Sequence, residues 1–233
     1  TKINNIEDIS SLISNININT NFEIIPIESS VSRICAKAIN ATSYLPKFNN
    51  SAMDGYAIIY ENKNNNLEII DTIFAGDNNE KLLKENCCIK IMTGARIPAN
   101  ATAIIPIEDT EKLNDNKIKI KQNVKEFQHI RYIGEDIQKD KLLIDVGDEI
   151  NFSKITLLAS QGFSHIQVFR KPKIVVFASG EELKLHYEKI EDYQIYNSNT
   201  PTFIARAKEL GCDVTFIGQA KDTVEDIKNL TTN

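Results

Sequence analysis

The first apolar residues of the chain recur at intervals of three or four positions, at Ile6, Ile9, Leu12, Ile13 and Ile16. This spacing predicts an amphipathic helix with one face packed on a core. A second helix is predicted from Val31 to Ala41. Ser29 and Ser30 precede it as candidate N-caps, and its apolar residues fall on one stripe.

From Tyr44 the period changes. Short Ile-rich runs separated by Asn, Asp and Gly predict five strands, at Tyr56–Tyr60, Leu67–Phe74, Cys87–Met92, Ala103–Ile107 and Lys117–Ile120. The last run alternates lysine with isoleucine, which predicts a half-exposed edge strand. Together these runs predict a compact all-β unit of about 80 to 90 residues.

Helical spacing returns after residue 150. Asn151 or Ser153 is placed to cap a helix, and Gly162 is placed to end it. The residues expected to be buried on this helix are Ile155, Leu157, Leu158 and Ala159. A strand is predicted next, from Ser164 to Phe169.

The segment after Lys171-Pro172 has the pattern of a parallel sheet. The unalternating run Ile174–Ala178 predicts a strand buried on both faces. The elements predicted after it are a helix from Pro201, with Thr200 as N-cap, to Leu210 and Gly211, a strand at Val214–Ile217 and a helix at Asp222–Leu230. This β-α-β-α order is typical of the start of a doubly wound sheet. Because two strands and two helices cannot cover both faces of such a sheet, we expect the last ~60 residues to be the first part of a larger domain.

Composition narrows the function classes. The 233 residues are 42% hydrophobic and 25% charged, with a formal net charge of -5. This balance disfavours a broad nucleic-acid interface, although a small anion pocket remains compatible with it. A polar start and the absence of a long apolar run predict no signal peptide and no membrane span, hence a cytoplasmic location. The four cysteines form no CxxC pair and are predicted to be reduced.

Four segments carry candidate chemistry, and each also has a purely structural interpretation. Asp54 lies among turn-forming residues before a strand. Thr93-Gly94 follows a strand and could present N–H groups to an anion, although such pairs are common at strand ends. Arg131 precedes two carboxylates, which by itself suggests a surface ion pair of little energetic value. Ser179–Glu182 follows the carboxyl end of a predicted parallel strand, where open α/β sheets bind ligands.

Taken together, the four segments resemble motifs of the MoeA/gephyrin E-domain family. They read Asn-Ser-Ala-Met-Asp-Gly-Tyr-Ala from Asn50, Ile-Met-Thr-Gly-Ala-x-Ile-Pro from Ile91, Arg-x-x-Gly-Glu-Asp-Ile from Arg131 and Ser-Gly-Glu-Glu-Leu from Ser179. Gln194–Asn199 and Leu210–Cys212 are also similar to stretches of the family. The resemblance covers nearly the whole chain. The chain departs from the family pattern at Tyr132, Ile133, Lys139 to Lys141 and Asn197.

The resemblance implies a multi-domain α/β plus all-β fold. Residues 1–45 and 136–170 would form a discontinuous linker and dimerisation domain, and residues 46–135 an inserted β domain. Residues 171–233 would be the first part of a MogA-like three-layer α/β/α domain, truncated here. Members of the family continue into the rest of that domain and a C-terminal β-barrel, and they form elongated dimers.

The resemblance implies a molybdopterin molybdotransferase, which transfers molybdenum from molybdate to adenylylated molybdopterin and releases AMP with the help of Mg²⁺. The implied partners are these substrates, a second copy of the chain that completes a composite active site, and a MogA-like adenylyltransferase, with no nucleic acid and no membrane. Two alternatives stay open: a dimeric scaffold or binding module of the same fold, and a fragment that is inert by itself. For the 233 residues alone we expect inactivity.

The residues that the resemblance implies as catalytic are Asp54, Thr93, Arg131, Asp136 and Glu182. Gly94, Ser179 and Gly180 are implied in substrate binding. The planar donor fork of Arg131 suits phosphate, and Asp136 and Glu182 are candidate Mg²⁺ ligands because this hard cation prefers oxygen. Asp54 could position water or molybdate, or act as a base. In the family, the inserted domain of one subunit would face Glu182 of the other.

Overall fold

The computed structural model describes residues 10–11, 13–15, 21–78 and 81–232. Contacts divide the chain into two compact units. Unit one comprises residues 1–38 and 144–233, and unit two comprises Ile39–Leu143. The helix predicted from Ile6 to Ile16 lies largely outside the described residues. The finer division into linker, inserted and MogA-like domains stays a prediction. No helix in the described ranges is long and apolar enough to cross a membrane.

The strands and helices are named here in chain order. The strands are β1 (Phe22–Pro26), β2 (Ile39–Asn40), β3 (Asn50–Ser51), β4 (Gly55–Ile58), β5 (Leu67–Ile73), β6 (Cys87–Ile91), β7 (Ala103–Pro106), β8 (Thr110–Asn114), β9 (Lys117–Ile120), β10 (Ile130–Arg131), β11 (Leu142–Ile144), β12 (His165–Phe169), β13 (Lys173–Ser179), β14 (Leu183–Lys184), β15 (Ile195–Tyr196) and β16 (Asp213–Ala220). The helices are α1 (Phe152–Ser160), α2 (Asn199–Glu209) and α3 (Val224–Thr232).

Unit two is built on a six-stranded mixed sheet in the order β7-β4-β6-β5-β9-β8. Its described elements are strands and short 3-10 turns, as the short Ile-rich runs separated by Asn, Asp and Gly predict. Successive residues of β4 enter different hydrophobic clusters: Ala57 packs in one, while Tyr56 and Ile58 pack in the other. Since neighbouring strand residues point to opposite faces, the sheet is covered on both sides. This explains why β4 is buried along its whole length.

The prediction that Lys117–Ile120 forms an edge strand is wrong. This strand, β9, pairs with β5 on one side and with β8 on the other. The strand at this edge of the sheet is β8, which no hydrophobic pattern indicated because its sequence, Thr-Glu-Lys-Leu-Asn, is mostly polar and exposed. A tight turn connects the two strands, in which Asn116 N–H donates to Asn114 Oδ1 at 2.9 Å.

The prediction of a helix from Val31 to Ala41 is also wrong. Ser32 has a φ of 59°, which ends any right-handed helix there. The backbone N–H groups of Ser32 and Cys35 donate instead to the carbonyls of Ile150 and Asp148 at 2.8 Å. The helical spacing of the apolar residues was therefore coincidental, because carbonyl groups far away in the chain accept these backbone hydrogen bonds.

In unit one, β1 pairs antiparallel with β12, and α1 precedes β12. Asn151 caps α1 by accepting from Lys154 N–H at 3.0 Å, and Gly162, with a φ of 81°, follows its end, both as predicted. Leu158 is fully buried in the helix, but Ala159 is exposed, contrary to expectation. One helical step rotates a side chain by about 100°, which carries Ala159 off the narrow apolar stripe.

The last part of unit one contains the predicted parallel pair, β13 and β16, with α2 and α3 against it. The prediction that β13 is buried on both faces is not confirmed by the described residues. Val175, in the middle of this strand, is 57% exposed. α2 begins at Asn199, before Pro201, and Thr200 is not its N-cap. The N-cap residue is Ser198, whose side chain makes no capping hydrogen bond. The buried Asn197, one residue earlier, supplies that bond instead, because its Oδ1 accepts from Thr200 N–H at 3.0 Å.

Candidate functional site

Asp54 lies on a short turn between β3 and β4. The buried Ser51 shapes this turn: its hydroxyl donates to the Met53 carbonyl at 2.6 Å. At the other end of the turn, Ile107 N–H donates to the Asp54 carbonyl at 3.2 Å. The backbone of Asp54 is therefore held from both sides, while its side chain is exposed.

The carboxylate of Asp54 is bound by Thr93, which directly follows β6. Asp54 Oδ1 accepts from the backbone N–H of Thr93 at 2.7 Å and from its hydroxyl at 2.9 Å. The backbone N–H first, and then the hydroxyl, lower the pKa of Asp54 below its ordinary value because they stabilise the charged form. The structure thus joins two predicted site residues that are 39 positions apart.

Three of the four motif segments meet at β3. Gly94 N–H donates to the Ser51 carbonyl at 2.8 Å, and Ser51 N–H donates to the Ala95 carbonyl at 3.0 Å. On the other edge of β3, Asn50 pairs with Arg131 of β10. Gly94 has a φ of 79°, a conformation that favours glycine at this loop. The Asn50, Met92 and Arg131 segments therefore share one backbone framework.

Arg131 is clamped by two carboxylates. Its Nε donates to Glu135 Oε1 and its Nη2 to Asp136 Oδ2, both at 2.6 Å. Glu135 Oε2 also accepts from Tyr132 N–H at 2.8 Å. The pKa of Glu135 is lowered, chiefly by its hydrogen bond to Arg131. Glu135 was not among the predicted site residues, although its position between Arg131 and Asp136 was a usable signal.

Ser179, Gly180 and Glu182 belong to unit one, at the carboxyl end of β13. Gly180 has a φ of 137°, and a Cβ there would lie 2.9 Å from Glu182 Oε2, so the carboxylate folds close over the glycine. Gln219 holds this loop, because its Nε2 donates to the carbonyls of Gly180 and Leu183 at 2.6 and 2.9 Å. Sequence reasoning missed Gln219, whose position at the end of the neighbouring parallel strand was the available signal.

The predicted site residues therefore form two described groups. Asp54, Thr93, Gly94, Arg131 and Asp136 lie in unit two, and Ser179, Gly180 and Glu182 lie in unit one. Within the described ranges, no three His, Cys, Asp or Glu side chains cluster as metal ligands do. One of the two candidate Mg²⁺ ligands, Asp136, already accepts a hydrogen bond from Arg131 through its Oδ2.

Known proteins match the chain over most of its length. A family model described as the MoeA N-terminal region (domain I and II) matches residues 4–162. A molybdopterin molybdenumtransferase of Staphylococcus epidermidis is 34% identical over 220 residues, which cover 91% of this chain and 51% of that protein. The enzyme of the same name from Haemophilus influenzae is 31% identical over 205 residues, covering 87% and 51%.

Solved structures agree with the sequence relatives. A crystal structure of the molybdopterin biosynthesis MoeA protein of Pyrococcus horikoshii superposes with a TM-score of 0.88 at 30% identity, covering 99% of this chain and 61% of that one. The chain spans about half the length of the curated relatives it matches.

Proposed function

The chain belongs to the MoeA family through its N-terminal region, and from this premise we propose that the protein is a molybdopterin molybdenumtransferase. It would transfer molybdenum from molybdate to adenylylated molybdopterin and release AMP. The observation that carries the proposal is the Asp54 carboxylate held by both donors of Thr93, on the framework that also positions Arg131. The names of the relatives support the same reaction class.

In this reaction the phosphoanhydride of the adenylylated substrate is cleaved by water. The water oxygen would bond to the phosphorus of the adenylyl group, and the bridging P–O bond would break with its electron pair staying on the molybdopterin phosphate. AMP would leave with the new oxygen, and the proton released from water would pass to Asp54 or to solvent. Asp54 can act as the base or as the group that orients water or molybdate. Its lowered pKa favours orientation, because a weakly basic carboxylate takes up a proton less readily near neutral pH.

The Arg131 cluster carries one positive and two negative charges, so by itself it is net negative. A polyanionic substrate would be repelled unless a cation joined it. The proposal of Mg²⁺ rests on the carboxylate chemistry of Asp136, whose Oδ2 is bound by Arg131, because this ion binds one or two carboxylates together with substrate phosphates. Asp136 and Glu182 remain the proposed ligands, and bound Mg²⁺ would neutralise charge on the departing phosphate.

The test is AMP release from adenylylated molybdopterin, with molybdate and Mg²⁺, by the full-length protein, since the 233 residues alone are expected to be inactive. Asp54→Ala and Glu182→Ala should each abolish release. The matched control is Asp115→Ala, which removes another exposed aspartate of unit two that is bound by a neighbouring side chain, and it should keep full activity. Activity that survives Asp54→Ala would contradict the role given to Asp54, and no AMP release by the unsubstituted protein would favour the scaffold alternative.

The proposed homodimer, in which Glu182 of one subunit serves with Asp54 of the other, has a separate test. Asp54→Ala and Glu182→Ala subunits, each inactive alone, are mixed and reassembled. A composite site leaves one intact site in each mixed dimer, so AMP release returns. If each site lies within one subunit, every site in the mixture stays defective and no release returns.

A further inference from the structure

The two carboxylates that bind Arg131 are engaged to different extents. Both oxygens of Glu135 are bound: Oε1 accepts from Arg131 Nε at 2.6 Å, and Oε2 accepts from Tyr132 N–H at 2.8 Å. Asp136 is bound to the arginine through Oδ2 alone, and its Oδ1 has no hydrogen-bond partner among the described residues. Asp136 therefore keeps an oxygen for a further ligand, whereas Glu135 does not.

The loop that carries Glu135 is anchored by bonds that do not involve this side chain. Gly134 N–H donates to the Pro46 carbonyl at 3.0 Å, and Ile133 N–H donates to Asn49 Oδ1 at 2.8 Å. Removal of the Glu135 carboxylate leaves both of these bonds in place. The contact of Glu135 with the arginine is therefore not needed to anchor the loop, and its effect falls on the arginine itself.

Arg131 needs such a contact because its side chain is long and 42% exposed. An arginine in this situation has many accessible rotamers, which are costly to restrict at the moment of binding. The two carboxylates use Nε and Nη2, and Nη1 has no partner in the described part of the chain. Because all the donors lie in one rigid plane, the bond on Nε fixes the direction in which Nη1 points.

The contact on Nε is also the more durable of the two. A cation or a phosphate that engaged Asp136 would compete with the bond between Asp136 and Arg131. Glu135 would then be the contact that keeps the guanidinium in place. Its second bond, from Tyr132 N–H at 2.8 Å, limits the rotation of the Glu135 carboxylate and so makes it a fixed point for the arginine.

We propose that Glu135 is a positioning residue, which holds the guanidinium of Arg131 so that Nη1 is presented to a substrate phosphate. The inference rests on the proposed transferase function, in which Arg131 binds phosphate, and it adds that Glu135 acts only through Arg131. Charge alone gives the opposite expectation. The cluster is net negative, so the loss of Glu135 would reduce repulsion and strengthen the binding of an anionic substrate.

The kinetic test measures KM and kcat for adenylylated molybdopterin in the full-length protein and in its Glu135→Gln variant, with AMP release as the assay. Positioning predicts that KM rises by about tenfold or more, the effect of weakening a charge-assisted hydrogen bond, and that kcat falls by less. A charge effect alone would lower KM. A merely structural role would lower kcat through loss of folded enzyme and leave KM unchanged. Either of these two results would overturn the proposal.

Two further variants make the kinetic test specific. Glu135→Asp keeps the charge but is too short to reach both partners, so positioning predicts a raised KM and a charge effect predicts none. An unchanged KM in this variant would contradict positioning. The matched control is Glu209→Gln, which removes another exposed carboxylate bound by an arginine, Arg206, at 3.0 Å, and it should leave KM unchanged.

A measurement without substrate separates this inference from the proposed function. In nitrogen-detected NMR of the arginine side chains, the Arg131 Nε–H should exchange with water about tenfold more slowly in the unsubstituted chain than in Glu135→Gln, because the bond to Glu135 protects it. Equal exchange rates would refute positioning even if the full-length protein released AMP. Slow exchange in a protein that released no AMP would support the contact and would reject the transferase function instead.

Discussion

Gly55, the residue after Asp54, should not tolerate a methyl group. β4 runs so close to β7 here that a Cβ on Gly55 would lie 2.0 Å from the Ile105 carbonyl oxygen and 2.8 Å from its carbon. Ordinary contact begins at 3.4 Å, so Gly55→Ala requires the β7 backbone to retreat by about 1.4 Å, the difference between the two distances.

A retreat of that size exceeds what a backbone hydrogen bond allows. It would disturb the pairing of β4 with β7, from Gly55–Pro106 to Ile58–Ala103, and the packing of the buried Ile104 and Ile105. We expect a loss of about 3 kcal/mol in the free energy of unfolding, at the upper end of overpacking costs. The proposed transferase activity of the full-length protein should fall too, because β7 leads directly to Ile107, whose N–H donates to the Asp54 carbonyl.

Urea unfolding followed by circular dichroism measures this loss. The matched control is Gly76→Ala, at a glycine with a φ of 95° and nothing within 4 Å of the added Cβ. The control costs only the backbone strain, about 1 to 2 kcal/mol. If Gly55→Ala were no less stable than Gly76→Ala, the close approach of β4 and β7 would not explain the glycine.

Three further predictions concern single groups. Thr93→Val should raise the pKa of Asp54 toward its ordinary value, because one of two donors to the carboxylate is lost. Carbon-detected NMR titration checks this, and an unchanged pKa would contradict the hydroxyl contact. Since the carboxylate is the stabilised form, its contribution to stability is present above the ordinary pKa of aspartate and is lost as the pH falls through the lowered value. Iodoacetamide at pH 8 should label the half-buried Cys212 well before Cys88, whose pKa burial raises to about 12; mass spectrometry gives the order, and equal rates would refute it. Asn151→Ala should cost about 1 kcal/mol in urea unfolding by removing the cap of α1, and no loss would show the cap to be dispensable.

Local patterns predicted much of the fold. Each of the five predicted strands of unit two is present within a few residues of its expected bounds, because short runs of β-branched residues between turn-forming residues are typical of strands. The cap of α1 and the glycine after it were also predictable, since helix ends are satisfied by nearby side chains. The order of the four motifs was enough to suggest the family.

Other features depend on partners far away in the chain, and local periodicity carries no information about them. The spacing from Val31 to Ala41 suits a helix, yet carbonyls more than 100 positions later satisfy its N–H groups. β8 is a strand because β9 pairs with it, not because of its own side chains.

In the candidate site, too, some features follow from the local sequence and others depend on contacts between distant segments. The sequence by itself determined which residue types are present: a turn with Asp54, a Thr-Gly loop, and an arginine before two carboxylates. Only the tertiary structure decided that Thr93 binds the Asp54 carboxylate, and that Lys47 and Arg96 line a cleft to which no acidic residue contributes. The physical reason is that hydrogen bonds and burial depend on which segments meet in space, and β3 brings three of these segments together.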